Sequence, residues 1–259
     1  MSGSYDAIVL AGRRPGEDPF AAASHVEHRA LIPVGGKPML ERVLATLRGH
    51  PRIGSIHISI DRPELLDAGD ATILRAADSP SESVLRALET PALAAAARPV
   101  LLTTADHALL DHEILDYFLE AADAPGADIA VGLVREQALR AAFPDAQRTY
   151  LRLRGGGVSG ANLFALHTPE ARRAVEFWRR VEAERKHPWR LVSAFGPLTL
   201  GLFALRLLSL EGAFGRASRV IGARAQPVDL PFARAAIDID KPADLELAER
   251  ILAQRAAQP

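Results

Sequence analysis

The hydrophobic pattern alternates between short continuous apolar runs and longer stretches with helical spacing. The first run, Ala7 to Leu10 in "YDAIVLAG", has the length of a buried strand and empties into "GRRPGEDPF", which has no apolar period. "ALIPVGGKPMLERVLATLRG" then reads as a short extended piece, a Gly-Gly turn and a helix. Pro38 suits its first turn, and Leu40, Val43, Leu44 and Leu47 make one apolar face. "IGSIHISI", Ile53 to Ile60, alternates as a second strand. "ADSPSESVLRALE" is a loop with serine caps and a helix from about Glu82. "RPVLLTTAD" is a third strand stopping at Asp106, "DHEILDYFLEAA" a helix with Asp111 as its cap, and Ala127 to Val134 a fourth strand. This alternation predicts an α/β fold of three layers, α/β/α, around a mostly parallel sheet.

Past Arg135 the pattern changes. "RTYLRLRGGGVSGANLFAL" suggests two strands joined by a glycine loop, and "TPEARRAVEFWRRVEAER" a long helix with Thr168 as cap and Pro169 at its first position. Leu191 to Leu210 is almost wholly apolar and about as long as a bilayer span. Gly196-Pro197 breaks it and Arg206 charges it, so two short buried helices meeting at the break are expected. The alternative is a helical patch that docks on a partner subunit, making a homo-oligomer, or on a membrane surface. A late strand near "AQPVDL" leads to a short strand and a closing helix in "RAAIDIDKPADLELAERILA". Without internal repeat or low-complexity linker, residues 1–259 read as one domain. Residues 136–259 form its helical and strand elaboration.

Composition narrows the function classes. A net charge of −1 over 259 residues offers no field for a nucleic acid. The absence of cysteine excludes disulfides, thiolate zinc sites and thiol nucleophiles. "MSGSYDAIVLAG" lacks the basic-then-apolar build of a signal peptide, and a cytoplasmic protein is expected. Arginine so outnumbers lysine (only Lys37, Lys186 and Lys241) that each arginine is a weak pointer.

In an open parallel sheet, ligands bind at the carboxyl ends of the strands, and candidate chemistry falls there. Gly12 admits close backbone approach, and Arg13 and Arg14 suit phosphate oxygens, although on this stretch alone a surface turn with solvated arginines is the stronger reading. It matches neither a dinucleotide fingerprint nor a P-loop. Asp106, at the end of a buried strand, is a candidate Mg²⁺ ligand or a turn acid, and His107 a turn residue beside it. Asp238 and Asp240 share one side of an extended segment, where they can hold a metal or face solvent. Asp240 is also placed to cap the helix that starts near Pro242. Arg148, Arg152 and Arg154 alternate along a strand, as a solvated face or a contact for an anionic acceptor.

Taken in order, "IVLAGRRPGEDP…HRALIPVGGKPMLERVL", "SPSESVLRAL", "LLTTADHALL", "NLFAL" and "AIDIDKPADLELAE" resemble nucleotidyltransferases of the MobA-like type over nearly the whole chain. The resemblance implies a Rossmann-like sheet of the GT-A nucleotidyltransferase type. It also implies Mg²⁺-dependent transfer of NMP from an NTP to a small, phosphorylated acceptor, with pyrophosphate leaving. By position, Ala11, Gly12 and Arg13 match the triphosphate loop, with Arg14 and Gly16 beside it. Ser81 and Ser83 match a stretch near the base. Asp106 matches the first metal aspartate, and Asp238 or Asp240 the second. Gly160 and Asn162 match the acceptor pocket. Residues 1–135 would then be the nucleotide-binding half and 136–259 the acceptor-binding half.

Two departures stand out. Arg13 occupies the second glycine of the family's usual glycine-rich loop, and Arg29 in "HRALIPV" stands where the family carries a lysine. Arginine keeps the charge on a wider, planar head, so Arg13, Arg29 and Asp106 are the candidate catalytic residues. Lys37 reads as part of the turn before the helix. Two alternatives share the fold: a glycosyltransferase, against which "ADH" replaces the usual Asp-x-Asp, and a catalytically weak nucleotide-binding protein.

Overall fold

The computed structural model describes residues 4–12, 16, 18–96, 98–184 and 195–257. Its strands are β1 (Tyr5–Leu10), β2 (Pro33–Val34), β3 (Lys37–Pro38), β4 (Ile53–Ile60), β5 (Thr72–Arg75), β6 (Val100–Thr104), β7 (Ile129–Arg135), β8 (Leu151–Leu153), β9 (Gly156–Leu166) and β10 (Ala225–Leu230). Its helices are α1 (Pro19–Ala23), α2 (Met39–Arg48), α3 (Pro80–Leu88), α4 (Pro91–Ala96), α5 (His112–Ala122), α6 (Glu136–Ala142), α7 (Arg172–Ala183), α8 (Gly196–Ala204), α9 (Leu210–Ile221) and α10 (Pro242–Ala256).

Eight strands form one sheet in the order β10-β7-β9-β6-β1-β4-β5, with β8 on β9. β1 pairs in parallel with β4 and β6, β4 with β5, and β7 with β10, whereas β9 runs antiparallel to β6, β7 and β8. The mostly parallel α/β sheet expected from the pattern is therefore present. Alternation along β1 explains the layers. Ala7 and Val9 join one core with Leu40, Val43, Leu44 and Leu47 of α2, while Ile8 joins the opposite core with Val84 and Leu85 of α3 and Val175 of α7. A third, smaller cluster joins Leu133, Leu153 and Val158 to Leu208 and Leu210.

Local expectations fare unevenly. The Gly-Gly turn is a two-residue hairpin between β2 and β3. Gly35 and Gly36 take φ of 56° and 77°, the positive values such a turn requires, and Lys37 is exposed on it. Ser79 and Asp111 cap α3 and α5, accepting from the N–H groups of Glu82 and Ile114. Thr168 does not cap its helix: its hydroxyl donates to Asp128 Oδ1 (2.9 Å), and a 3-10 turn, Pro169–Ala171, precedes α7. Residues 237–240 form no strand, because Ala233–Ala236 is a 3-10 turn and the chain runs on extended without a ladder partner. β5 answers to no expectation, and its four residues are too short for alternation to show.

The apolar segment 191–210 departs most. Residues 191–194 lie outside the described residues, and α8 begins at the Gly196-Pro197 break. Burial was expected, yet Thr199 is the one residue of α8 that is buried. Leu198 (69%) and Leu205 (70%) are largely exposed, with Phe203 and Leu207 beside them. Among the described residues, no helix is long and apolar enough to cross a membrane.

Candidate active site

The carboxyl ends of β1, β5 and β6 open into a cavity of about 520 Å³. Its wall takes Leu10, Ala11 and Gly12 from the end of β1, Asp18, His28 and Arg29 from the following loop, and Ala76 to Pro80 with Ser83 from the entry to α3. Asp106 and Asp240 complete it. Six of the residues singled out by the resemblance, Ala11, Gly12, Arg29, Ser83, Asp106 and Asp240, thus share one wall.

Asp106 is held by its neighbours. Its Oδ1 accepts from the Thr104 hydroxyl and from Asn162 Nδ2 (3.4 Å), and its carbonyl accepts from Ile239 N–H (3.1 Å). That last bond brings the extended 238–240 segment against the end of β6 across more than a hundred residues of sequence. Burial, with the nearby charges of Asp238 and Asp240, pushes the Asp106 carboxyl up to about 6, against the opposing pull of Thr104 and Arg29. Burial and Asp240 also raise Asp238, whereas Arg148 lowers it.

Each acid of that segment has its own arginine. Arg148 Nη1 donates to Asp238 Oδ1, and its Nη2 donates to the Asp238 carbonyl (2.9 Å) and to Asp244 Oδ1 (3.3 Å). The solvated strand face expected for Arg148 is thus replaced by a partly buried ion pair. Arg148 precedes β8, and Arg152, within β8, pairs with Glu136 (2.5 Å). Arg29 Nη1 donates to Asp240 Oδ1 (3.1 Å), its Nε donates to Asp18 Oδ2 (2.9 Å), and its guanidinium lies over the Phe20 ring. Asp240 does not cap the closing helix. Its own N–H donates to Asp244 Oδ2 (3.2 Å), and Lys241 occupies the cap position.

Gly12 meets a protein neighbour. A Cβ there would lie 2.9 Å from Ala76 Cβ, so the ends of β1 and β5 approach at a distance only glycine permits. The two carried-over serines part company. Ser83 Oγ accepts from Ala77 N–H (2.9 Å) and donates to the Ser79 carbonyl (2.9 Å), fixing the cavity wall. Ser81 is fully buried and donates to Glu182 of α7, away from the cavity. Gly160 is exposed on β9 opposite Leu133. Asn162 sits at the irregularity in the β7–β9 register, with φ of 48°, which turns its side chain toward Asp106. Gly16 is exposed with φ of 116°, and Arg13 and Arg14 lie outside the described residues. His107 is a core histidine: burial lowers it to about 4, and it faces Thr103 at 3.4 Å.

Sequence reasoning missed Asp18, His28, Asp78 and the Arg148–Asp244 pair. Asp18 had a readable signal, an Asp-Pro start, and it caps α1 by accepting from Phe20 and Ala21 N–H. His28 Nδ1 accepts from Ala30 N–H (3.1 Å), so Nε2 carries the hydrogen given to Asp61 (3.0 Å). No local pattern marks it.

On the described wall, four carboxylates (Asp18, Asp78, Asp106 and Asp240) face one guanidinium, Arg29. No group of three or more His, Asp or Glu among the described residues is gathered to hold a metal by itself. The donor set therefore suits a hard cation that takes one or two carboxylates and fills its shell with phosphate and water.

A search of curated proteins returned no match. A hypothetical transferase structure from Thermus thermophilus is 33% identical, covering 93% of this chain and 99% of its own, with a TM-score of 0.79. A 2-C-methyl-D-erythritol 4-phosphate cytidylyltransferase, also from Thermus thermophilus, shares the fold at 18% identity, covering 95% and 98%, with a TM-score of 0.54. A CMP:2-keto-3-deoxy-manno-octonic acid synthetase complexed with CTP does so at 16%, covering 97% and 100%, with a TM-score of 0.57. Residues 7–193 match the MobA-like NTP transferase domain, so the chain belongs to that nucleotidyltransferase family.

Proposed function

We propose that the protein moves a nucleoside monophosphate from an NTP to a small, phosphorylated acceptor, with Mg²⁺ and release of pyrophosphate. The observation that carries this reading is the meeting of Asp106 with Asp238 and Asp240 beside Arg29, at the end of the parallel strands. An NTP brings several negative charges to a wall that already carries four carboxylates, and cations must offset that repulsion. Asp106, with Asp238 or Asp240, would hold the divalent ion, which supplies charge neutralisation on the phosphates when bound.

The chain's own residues do the rest. Arg29, anchored by Asp18, stands where it can take the triphosphate oxygens in place of Asp240. Arg13 and Arg14 join it from the same loop in this reading, and Gly16 shapes that loop. The wall fixed by Ser83 receives the base, and Ser81 holds the start of α3 to Glu182 of α7. Gly160 and Asn162 line the acceptor side, so residues 1–135 serve the nucleotide and 136–259 the acceptor. Such transfers rely on positioning and on stabilising charge rather than on covalent help. An acceptor phosphate needs no general base, and no base is assigned.

The relatives named for cytidylyl transfer and for CTP make CTP the first nucleotide to test. Pyrophosphate release from CTP, GTP, ATP and UTP against a panel of phosphorylated sugars and polyols should single out one NTP. Asp106→Asn should then lower the rate at least about 100-fold, the scale of a lost charge-stabilising group. Turnover by that variant at the parent rate contradicts the reading.

A further inference from the structure

Resting on that reading, we infer that Arg148 is a resident counter-cation for Asp238, which keeps the carboxylate pair from holding a divalent ion before nucleotide arrives. The arginine is buried (7% exposed), as is Asp244 (6%), and it reaches three acceptors at once: Asp238 Oδ1, the Asp238 carbonyl and Asp244 Oδ1. Asp244 in turn accepts the N–H of Asp240. One guanidinium thereby ties the whole 238–240 segment to the residues before β8. A planar, forked donor reaches all three at once, whereas a lysine ammonium would keep the charge beside Asp238 with fewer of the bonds.

The pair makes a poor stability device. Arg148 Nε is buried without a hydrogen-bond partner, Asp238 is half-buried, and burying the Arg148–Asp244 pair with an unsatisfied donor gains little over an apolar replacement. Its effect falls on charge instead. Asp240 already shares its Oδ1 with Arg29, and Asp238 shares its own with Arg148, whereas Asp106 bonds to no arginine among the described residues. A cation entering alone meets Asp238 and Asp240 each already bonded to an arginine. A nucleotide that draws Arg29 onto its phosphates frees Asp240 and brings its own oxygens to complete the shell.

The test is Mn²⁺ binding to the metal-stripped, full-length protein without nucleotide, read from the loss of the free-ion electron paramagnetic resonance signal. Arg148→Gln keeps hydrogen-bonding capacity and removes the charge, so it should bind Mn²⁺ at least about tenfold more tightly than the parent. Arg148→Lys restores the charge and should return affinity to within about threefold of the parent. A purely structural role gives the opposite sign, because a slack segment binds the ion less well. An Arg148→Gln protein with the parent's unfolding midpoint and equal or weaker Mn²⁺ binding overturns the inference. If that variant does not fold, Arg148→Lys decides: binding within threefold supports the counter-cation, and a tenfold change in either direction overturns it. Asp106→Asn separates this inference from the reading beneath it. Where that variant loses Mg²⁺-dependent CTP binding and Arg148→Gln gains no Mn²⁺ affinity, only the Arg148 inference fails. Where it binds Mg²⁺ and CTP as the parent does, the reading of function fails.

Discussion

Asp106 concentrates the site's physics in one carboxyl. Its value of about 6 in the folded protein stands above the 3.8 of an unfolded aspartate. The folded state therefore holds the proton more tightly, and the associated stability, full below pH 4, is lost as pH rises through 6. In EDTA at pH 7.5, Asp106→Asn should have an unfolding free energy above the parent's by about 1–3 kcal/mol, and the difference should shrink toward pH 4. A midpoint that falls at pH 7.5 would show that the carboxylate is a net stabiliser there. Gly12 gives a second test. Gly12→Ala drives a methyl into Ala76 and should cost about 1–3 kcal/mol of stability and at least tenfold in NTP affinity, measured by calorimetry. Asp106 was legible because a buried strand stops at it. Arg148 was not, because its partners lie about ninety residues away and its sequence neighbours suggested an exposed strand.

At the scale of elements, the entry to α3 divides labour between two serines. Ser83→Ala removes the acceptor of Ala77 N–H on the cavity wall and should weaken NTP binding about tenfold with a small loss of stability. Ser81→Ala leaves the wall and frees Glu182, so it should cost about 1–2 kcal/mol of stability with NTP affinity unchanged. Equal effects of the two on affinity would remove the base-binding role from Ser83. Periodicity made β1, β4, β6, β7, α2 and α5 readable, since each buries a full face. It failed for β5, four residues long, and for residues 237–240, extended without a ladder. For α8 it inverted the outcome: uniform apolarity implies burial, and yet Leu198 and Leu205 face outward.

Across the whole molecule, the sheet order brings distant parts of the sequence to one edge. β1 lies between β4 and β6, so the loop after Leu10, the entry to α3 and Asp106 meet, and the Ile239–Asp106 bond adds the 238–240 segment. The order itself was not legible, nor was the placing of β9 antiparallel between β6 and β7, because both depend on contacts between halves of the chain. The central claim is that this edge holds a nucleotide and a divalent ion together. Its most direct test is the unfolding midpoint with CTP, GTP, ATP or UTP, each with Mg²⁺ and with EDTA, for the parent and Asp106→Asn. At a hundredfold excess over Kd, bound nucleotide adds about 2.7 kcal/mol. For one NTP the parent's midpoint should therefore rise by about 5 °C or more with Mg²⁺, stay put in EDTA, and not move in the variant. A rise of equal size in EDTA, or in Asp106→Asn, would contradict the account.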